Sequence, residues 1–171
     1  MTDTEPSGAA TSAVDRNAIR AELEATRARY HELLNSLSDE DWKKKSANPA
    51  WRVDQLMWHL AWALGYFPKG VDQCRKGNAN NTPAWITNPL NMLITRIGSR
   101  GATPAKVAQQ YDSNQTAVLA CLDGIQDDEW QKRGKPLGAF GEEKTVESVF
   151  RSITSHFKEH EADIGKGLGR I

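Results

Sequence analysis

Three of the four histidines in this chain stand where a helical protein would hold a metal. His59 falls in one apolar stretch, and His156 and His160 fall one turn apart in another. Imidazole is the commonest protein ligand for a transition metal. Imidazoles at i and i+4 leave a helix on one side, and a third from a facing helix completes a three-point site with open positions for water or substrate. At 100° per residue, His160 lies only about 20° around the axis from Ile153, and His156 about 60°. Both therefore sit inside the stripe set by Val149, Ile153 and Phe157. Around His59, the residues Leu56, Trp62, Ala63 and Tyr66 all fall within about 60°.

Imidazoles in apolar surroundings need partners, because an unpaired buried polar group costs about 1–3 kcal/mol. One metal would satisfy all three. The competing reading is ordinary: His-x-x-x-His is a weak signal, and a buried histidine often just hydrogen-bonds a carbonyl or carboxylate. His31, beside the stripe of the first helix, is less specific still and reads as surface.

Asp163 is the weak candidate for a catalytic carboxylate. It lies seven residues after His156, about 20° away around the helix, where it could accept a hydrogen bond from a ligand histidine or act as a base. A solvated helix-end carboxylate is the alternative. Asn114 is the one amide in the apolar stripe of its helix, suited either to lining a cavity or to setting helix register.

These residues need a frame. The 171 residues suit one domain, expected over 13–171 after a disordered lead-in at 1–12 rich in Thr, Ser, Gly and Ala. Four stretches carry helical periodicity. The first, roughly 13–37, has Ile19, Leu23, Thr26, Tyr30, Leu33 and Leu37. The second, roughly 52–76, has Val53, Leu56, Leu60, Leu64, Phe67 and Val71. The third opens on Thr103-Pro104, an N-cap followed by proline at the first helical position, and continues through Val107, Tyr111, Asn114, Val118, Leu122 and Ile125. The fourth, roughly 145–165, carries Val146, Val149, Ile153, Phe157, His160 and Ile164. No convincing strand alternation appears, so the fold class is all-α.

Connection length sets the topology. Residues 77–102 separate the second and third helices, far more than a tight turn needs. A crossover of that length predicts an up-down-down-up four-helix bundle with helices two and three parallel. The segments Leu37-Ser-Asp-Glu-Asp-Trp42 and Ile125-Gln-Asp-Asp-Glu-Trp130 echo one another. They read either as a trace of duplication or as two acidic helix starts.

Lys plus Arg and Asp plus Glu both count 22, so the formal net charge is zero and nucleic acid is not an expected partner. Cys74 and Cys121 form no paired spacing and read as reduced thiols. No stretch approaches the run of about 18 apolar residues that a membrane span needs. The expectation is a cytoplasmic protein without a membrane partner.

The stretch Trp51-Arg-Val-Asp-Gln-Leu-Met-Trp-His59-Leu-Ala resembles the histidine-bearing second helix of the DinB/YfiT-like family. Ser148-Val-Phe-Arg-Ser-Ile-Thr-Ser-His156-Phe-Lys-Glu-His160-Glu-Ala-Asp163-Ile resembles that family's closing helix. The resemblance covers residues 13–165 in the expected order, long crossover included. It implies an up-down-down-up bundle with one divalent metal on His59, His156 and His160, the metal being zinc, nickel or iron. It also implies a thiol-dependent transferase or isomerase acting on a small molecule, with a low-molecular-weight thiol as a second cofactor. A hydrolase is a further possibility, and the alternative is a non-catalytic metalloprotein or small-ligand binder. Trp62, Tyr66, Asn91, Arg96 and Asn114 are the candidate substrate contacts, with Trp58 and Asn88 beside them. A homodimer is expected through an apolar crossover patch of Leu90, Met92, Leu93 and Ile97.

Overall fold

A computed structural model describes residues 14–139 and 141–171. The lead-in expected over 1–12 lies outside the described residues. The long helices are α1 (Arg16–Asn35), α3 (Val53–Leu64) continued by α4 (Phe67–Arg75), α6 (Pro104–Asp123) and α7 (Val146–Gly167). A short α2 (Asp39–Lys43) and a helix α5 (Ala84–Gly98) lie in the connections. Strand content among the described residues is a two-residue pair, β1 (Arg133–Gly134) against β2 (Lys144–Thr145).

Side-chain pairings fix the helix directions. Glu22 meets Arg151, the Thr26 hydroxyl meets Thr154 at 2.9 Å, and Arg29 meets Glu161, so α1 and α7 run parallel. Arg20 pairs with Asp123, Arg27 with Asp112, and Tyr30 stacks on Tyr111, so α1 and α6 run antiparallel. His59 meets His156 while Gly70 packs near Val149, which sets α3–α4 antiparallel to α7. The bundle is therefore up-down-down-up, with α3 and α6 parallel, and α5 belongs to the crossover that this arrangement requires.

The expected stripes form the core. Ile19, Leu23, Tyr30, Val53, Leu56, Leu60, Leu64, Val71, Val107, Tyr111, Val118, Leu122, Val146, Ile153, Phe157 and Ile164 are all buried. Each long helix starts on a side-chain cap where the chain supplies one: Asp15 accepts from the Ala18 N–H, Thr103 from Lys106 and Thr145 from Ser148. The two acidic echoes are both capping boxes, Ser38 with Asp41 and Gln126 with Glu129. One opens α2 and the other a single 3-10 turn, Asp127–Glu129. They are acidic starts of short turns.

Two boundaries differ from the periodicity. The second stretch is not one helix over 52–76 but breaks between Leu64 and Phe67. Proline is tolerated in the first turn of a helix and disrupts an interior. The break puts Pro68 in the first turn of α4. Residues 84–98 of the crossover are helical, although they contain Pro89. The expected crossover patch divides on that helix: Met92 packs toward the core, while Leu90, Leu93 and Ile97 are half exposed. Among the described residues no helix is long and apolar enough to cross a membrane.

Candidate metal centre

Helix α3 brings His59 to the bundle centre, and α7 brings His156 and His160 opposite it. The segment before α3 is shaped by its own polar groups: the Ser46 hydroxyl donates to the Trp51 carbonyl and Asn48 Oδ1 accepts from the Ala50 N–H. Trp51 is thereby laid on His59, ring centroids 4.6 Å apart and stacked, with its edge toward His160 at 5.9 Å. The Ala47 N–H donates to the Asp163 carbonyl, tying this segment to α7. Gly167 completes that contact, since a Cβ there would stand 2.5 Å from the Ser46 backbone.

One ring nitrogen from each of His59, His156 and His160 lies within 4.8 Å of the other two. Nε2 of His59 and Nε2 of His156 are 3.2 Å apart. Two nitrogens each about 2.0–2.1 Å from one tetrahedral ion would be separated by roughly this much. His59 is 4 % and His160 6 % exposed, while His156 is half-buried and marks the open side. The other ring nitrogens of two of the three are engaged: His59 Nδ1 lies 3.2 Å from the Thr95 hydroxyl, and His160 Nδ1 lies 3.1 Å from Asp163 Oδ2. Such outer contacts fix the tautomer and ring orientation of a ligating histidine.

Burial keeps the His59 and His156 rings uncharged. Burial, then the neighbouring His156 and His160, lowers the His59 pKa to about 2. Burial, then His160, lowers that of His156 to about 3. Neutral imidazole is the form that offers a lone pair to a cation. The donor set of three nitrogens, with a carboxylate behind one of them, fits a borderline divalent ion.

The remaining candidates fall in different places. Trp62 is half-buried with its ring 6.0 Å from His59, and Tyr66 follows it at 4.7 Å, exposed. Asn91 is half-buried on α5, one turn before Thr95. The Arg96 guanidinium donates to the Ala50 carbonyl and pins α5 to the segment that carries Trp51. Asn114 donates to the Ala61 carbonyl at 2.8 Å, filling the place of the helical bond lost at the α3–α4 break. Gly65 leaves room for it, because a Cβ there would meet the amide at 3.0 Å. Asn114 therefore bridges α6 to the break between α3 and α4. His31 pairs with Asp112 at 2.8 Å, away from the centre.

Thr95, Trp51 and Phe67, whose ring is 6.3 Å from His156, were not singled out for the site by sequence reasoning. Trp51 could have been found, since it heads the His59 motif. Thr95 carries no such signal.

An up-down-down-up bundle with three clustered imidazoles on its second and fourth long helices defines a class of helical proteins with a candidate metal site. The chain belongs to the DinB superfamily, whose model matches residues 22–164. Its fold is similar to that of YfiT from Bacillus subtilis, a probable metal-dependent hydrolase with an unusual four-helix bundle topology. The TM-score is 0.72 at 14 % identity, over 98 % of this chain and 94 % of that one. It is also similar to a mycothiol-dependent maleylpyruvate isomerase, with a TM-score of 0.69 at 14 % identity over 89 % of this chain. The match spans 61 % of the isomerase's length. A Streptococcus pneumoniae protein gives a TM-score of 0.64 at 16 % identity over 92 % of each chain. Among curated proteins, the sequence comparison finds no match.

Proposed function

We propose that this chain holds one divalent metal ion on Nε2 of His59, His156 and His160 and is a metal-dependent enzyme acting on a small molecule, of the thiol-dependent transferase or isomerase type. The observation that carries this reading is the convergence of three imidazole nitrogens within 4.8 Å of one another on facing helices of the bundle. When bound, such an ion supplies Lewis acidity and an open position that favours a thiolate over a thiol or hydroxide over water.

The chain's own residues prepare that position. Thr95 and Asp163 hold two imidazoles so that their Nε2 atoms stay available. Trp51 covers His59 and His160 and keeps water from that side. The half-buried His156 leaves an approach for a small molecule past Phe67 and Trp62. Asp163 acts through His160 and is a positioning residue in this scheme. The isomerase relative is mycothiol-dependent and YfiT is described as a hydrolase, so thiol transfer and hydrolysis are the two chemistries to separate. Zinc, nickel and iron all suit three nitrogen ligands.

The burial of His59 and His160 favours one second reading, a metal that completes the core without reacting. Metal analysis of the untagged full chain decides first, with about one ion per chain expected. A metal-free preparation that takes up none of the three metals overturns both readings. His160→Ala then separates them. A reactive centre loses the metal and keeps a folded bundle, whereas a structural one loses thermal stability sharply, because its binding energy is folding energy.

A further inference from the structure

An aromatic ladder runs outward from the imidazole cluster. Trp58, Trp62 and Tyr66 stand at i, i+4 and i+8, running along α3 and across the break into α4. The Trp58 and Trp62 rings stack at 5.6 Å with 15° between planes, and Tyr66 follows Trp62 at 4.7 Å. The inner end of the ladder is anchored, since Trp62 is 6.0 Å from His59 and Trp58 presses on α5 at Gly98. Its outer end is open: Tyr66 is 42 % exposed. Above that ring sits the ammonium of Lys69, 5.0 Å from the centroid. Among the described residues, Lys69 has no carboxylate within 4.0 Å, whereas Arg75 at the end of α4 pairs with Glu129 and Lys76 just after it pairs with Asp72. The half-buried amide of Asn91 makes no side-chain hydrogen bond among the described residues.

An aromatic face attracts a flat π-system in an offset stack, and an unpaired ammonium beside it attracts an anion. A ligand satisfying both is flat and carries a carboxylate. We propose that the ladder is the substrate platform of this protein and that it takes a planar conjugated or aromatic carboxylate. The ligand stacks on the exposed Tyr66 ring, sets its carboxylate at Lys69 and directs its other end toward His156. The proposal rests on the metal-centre reading only for what happens at that inner end.

Calorimetric titration of the full chain with trans-cinnamate, in metal-loaded and metal-free form, tests it. Cinnamamide, which lacks the charge, and cyclohexanecarboxylate, which lacks the flat π-system, serve as the comparison ligands. Cinnamate should bind more tightly than either, and Lys69→Gln should weaken it about threefold to fivefold, the range of an exposed ion pair. Tyr66→Leu should weaken cinnamate and leave cyclohexanecarboxylate unchanged. Saturation-transfer NMR should place the cinnamate ring against aromatic protons. Equal affinity for the three ligands overturns the proposal. So does cinnamate binding that Lys69→Gln leaves intact, which would put the carboxylate on the metal. A chain that takes up no metal but still shows the cinnamate preference and its dependence on Lys69 keeps the platform and removes the metal reading. Metal uptake without that preference does the reverse.

Discussion

The Thr95 hydroxyl lies 3.2 Å from Nδ1 of His59, so a residue of the crossover helix reaches the imidazole that α3 carries into the bundle. Thr95 is fully buried, and this is its side chain's contact with the centre. The neutral His59 ring donates through Nδ1, and the hydroxyl oxygen accepts, when Nε2 carries the free lone pair.

Replacing Thr95 with Val keeps the shape and removes the acceptor. Metal affinity, read by competition with a chromophoric chelator, should fall about 10- to 100-fold, the usual effect of losing such a contact. Thr95→Ser should recover most of it. A Val variant with unchanged affinity would mean that the hydroxyl only fills space.

The depressed histidines make the stability of the metal-free protein depend on pH. In the unfolded chain His59 and His156 titrate near the usual value of about 6.5. Folded, they stay neutral down to about 2 and about 3. Below about pH 6.5 the unfolded state therefore binds protons that the folded state does not, and stability falls as pH falls. Melting temperatures of metal-free protein should be level from pH 8 to 7 and drop steadily toward pH 4.5. His156→Gln should flatten that drop.

Gly98 is the seat of Trp58 on α5. A Cβ there would stand 2.3 Å from Trp58 Cζ2, well inside contact distance. Gly98→Ala should lift α5 from α3 and destabilise by about 1–3 kcal/mol, the usual cost of overpacking. Limited proteolysis should then cut within residues 77–102 faster than in the wild type. An unchanged digestion pattern would show that the indole can move aside.

Much of this was legible in the chain. The stripes through Leu23, Leu60, Val118 and Ile153 repeat at helical spacing, and each is buried because that spacing leaves a helix only one apolar face. The spacing of His156 and His160 and the inward position of His59 were equally readable. Other features depend on partners distant in sequence. Asn114 looked like a polar interruption of its stripe, and its Ala61 partner exists only because α3 breaks at Gly65. Pro68 marked that break, but the continuing repeat through Phe67 and Val71 masked it. The helix over 84–98 was hidden by Pro89, which ordinarily breaks a helix interior, and by apolar residues Leu90, Leu93 and Ile97 that point outward and not into the core. Thr95 could not be found without that helix.

The crossover helix α5 packs chiefly on α3 and adds few side chains to the core, yet it supplies Thr95 to the centre and Gly98 to the ladder. Frame and tooling are thus separable in this molecule. The three imidazoles all stand on the long helices, whereas the hydroxyl that meets one of them stands on the crossover. Exchanging that one segment is consequently a route to altering what the centre accepts without redesigning the bundle that carries it.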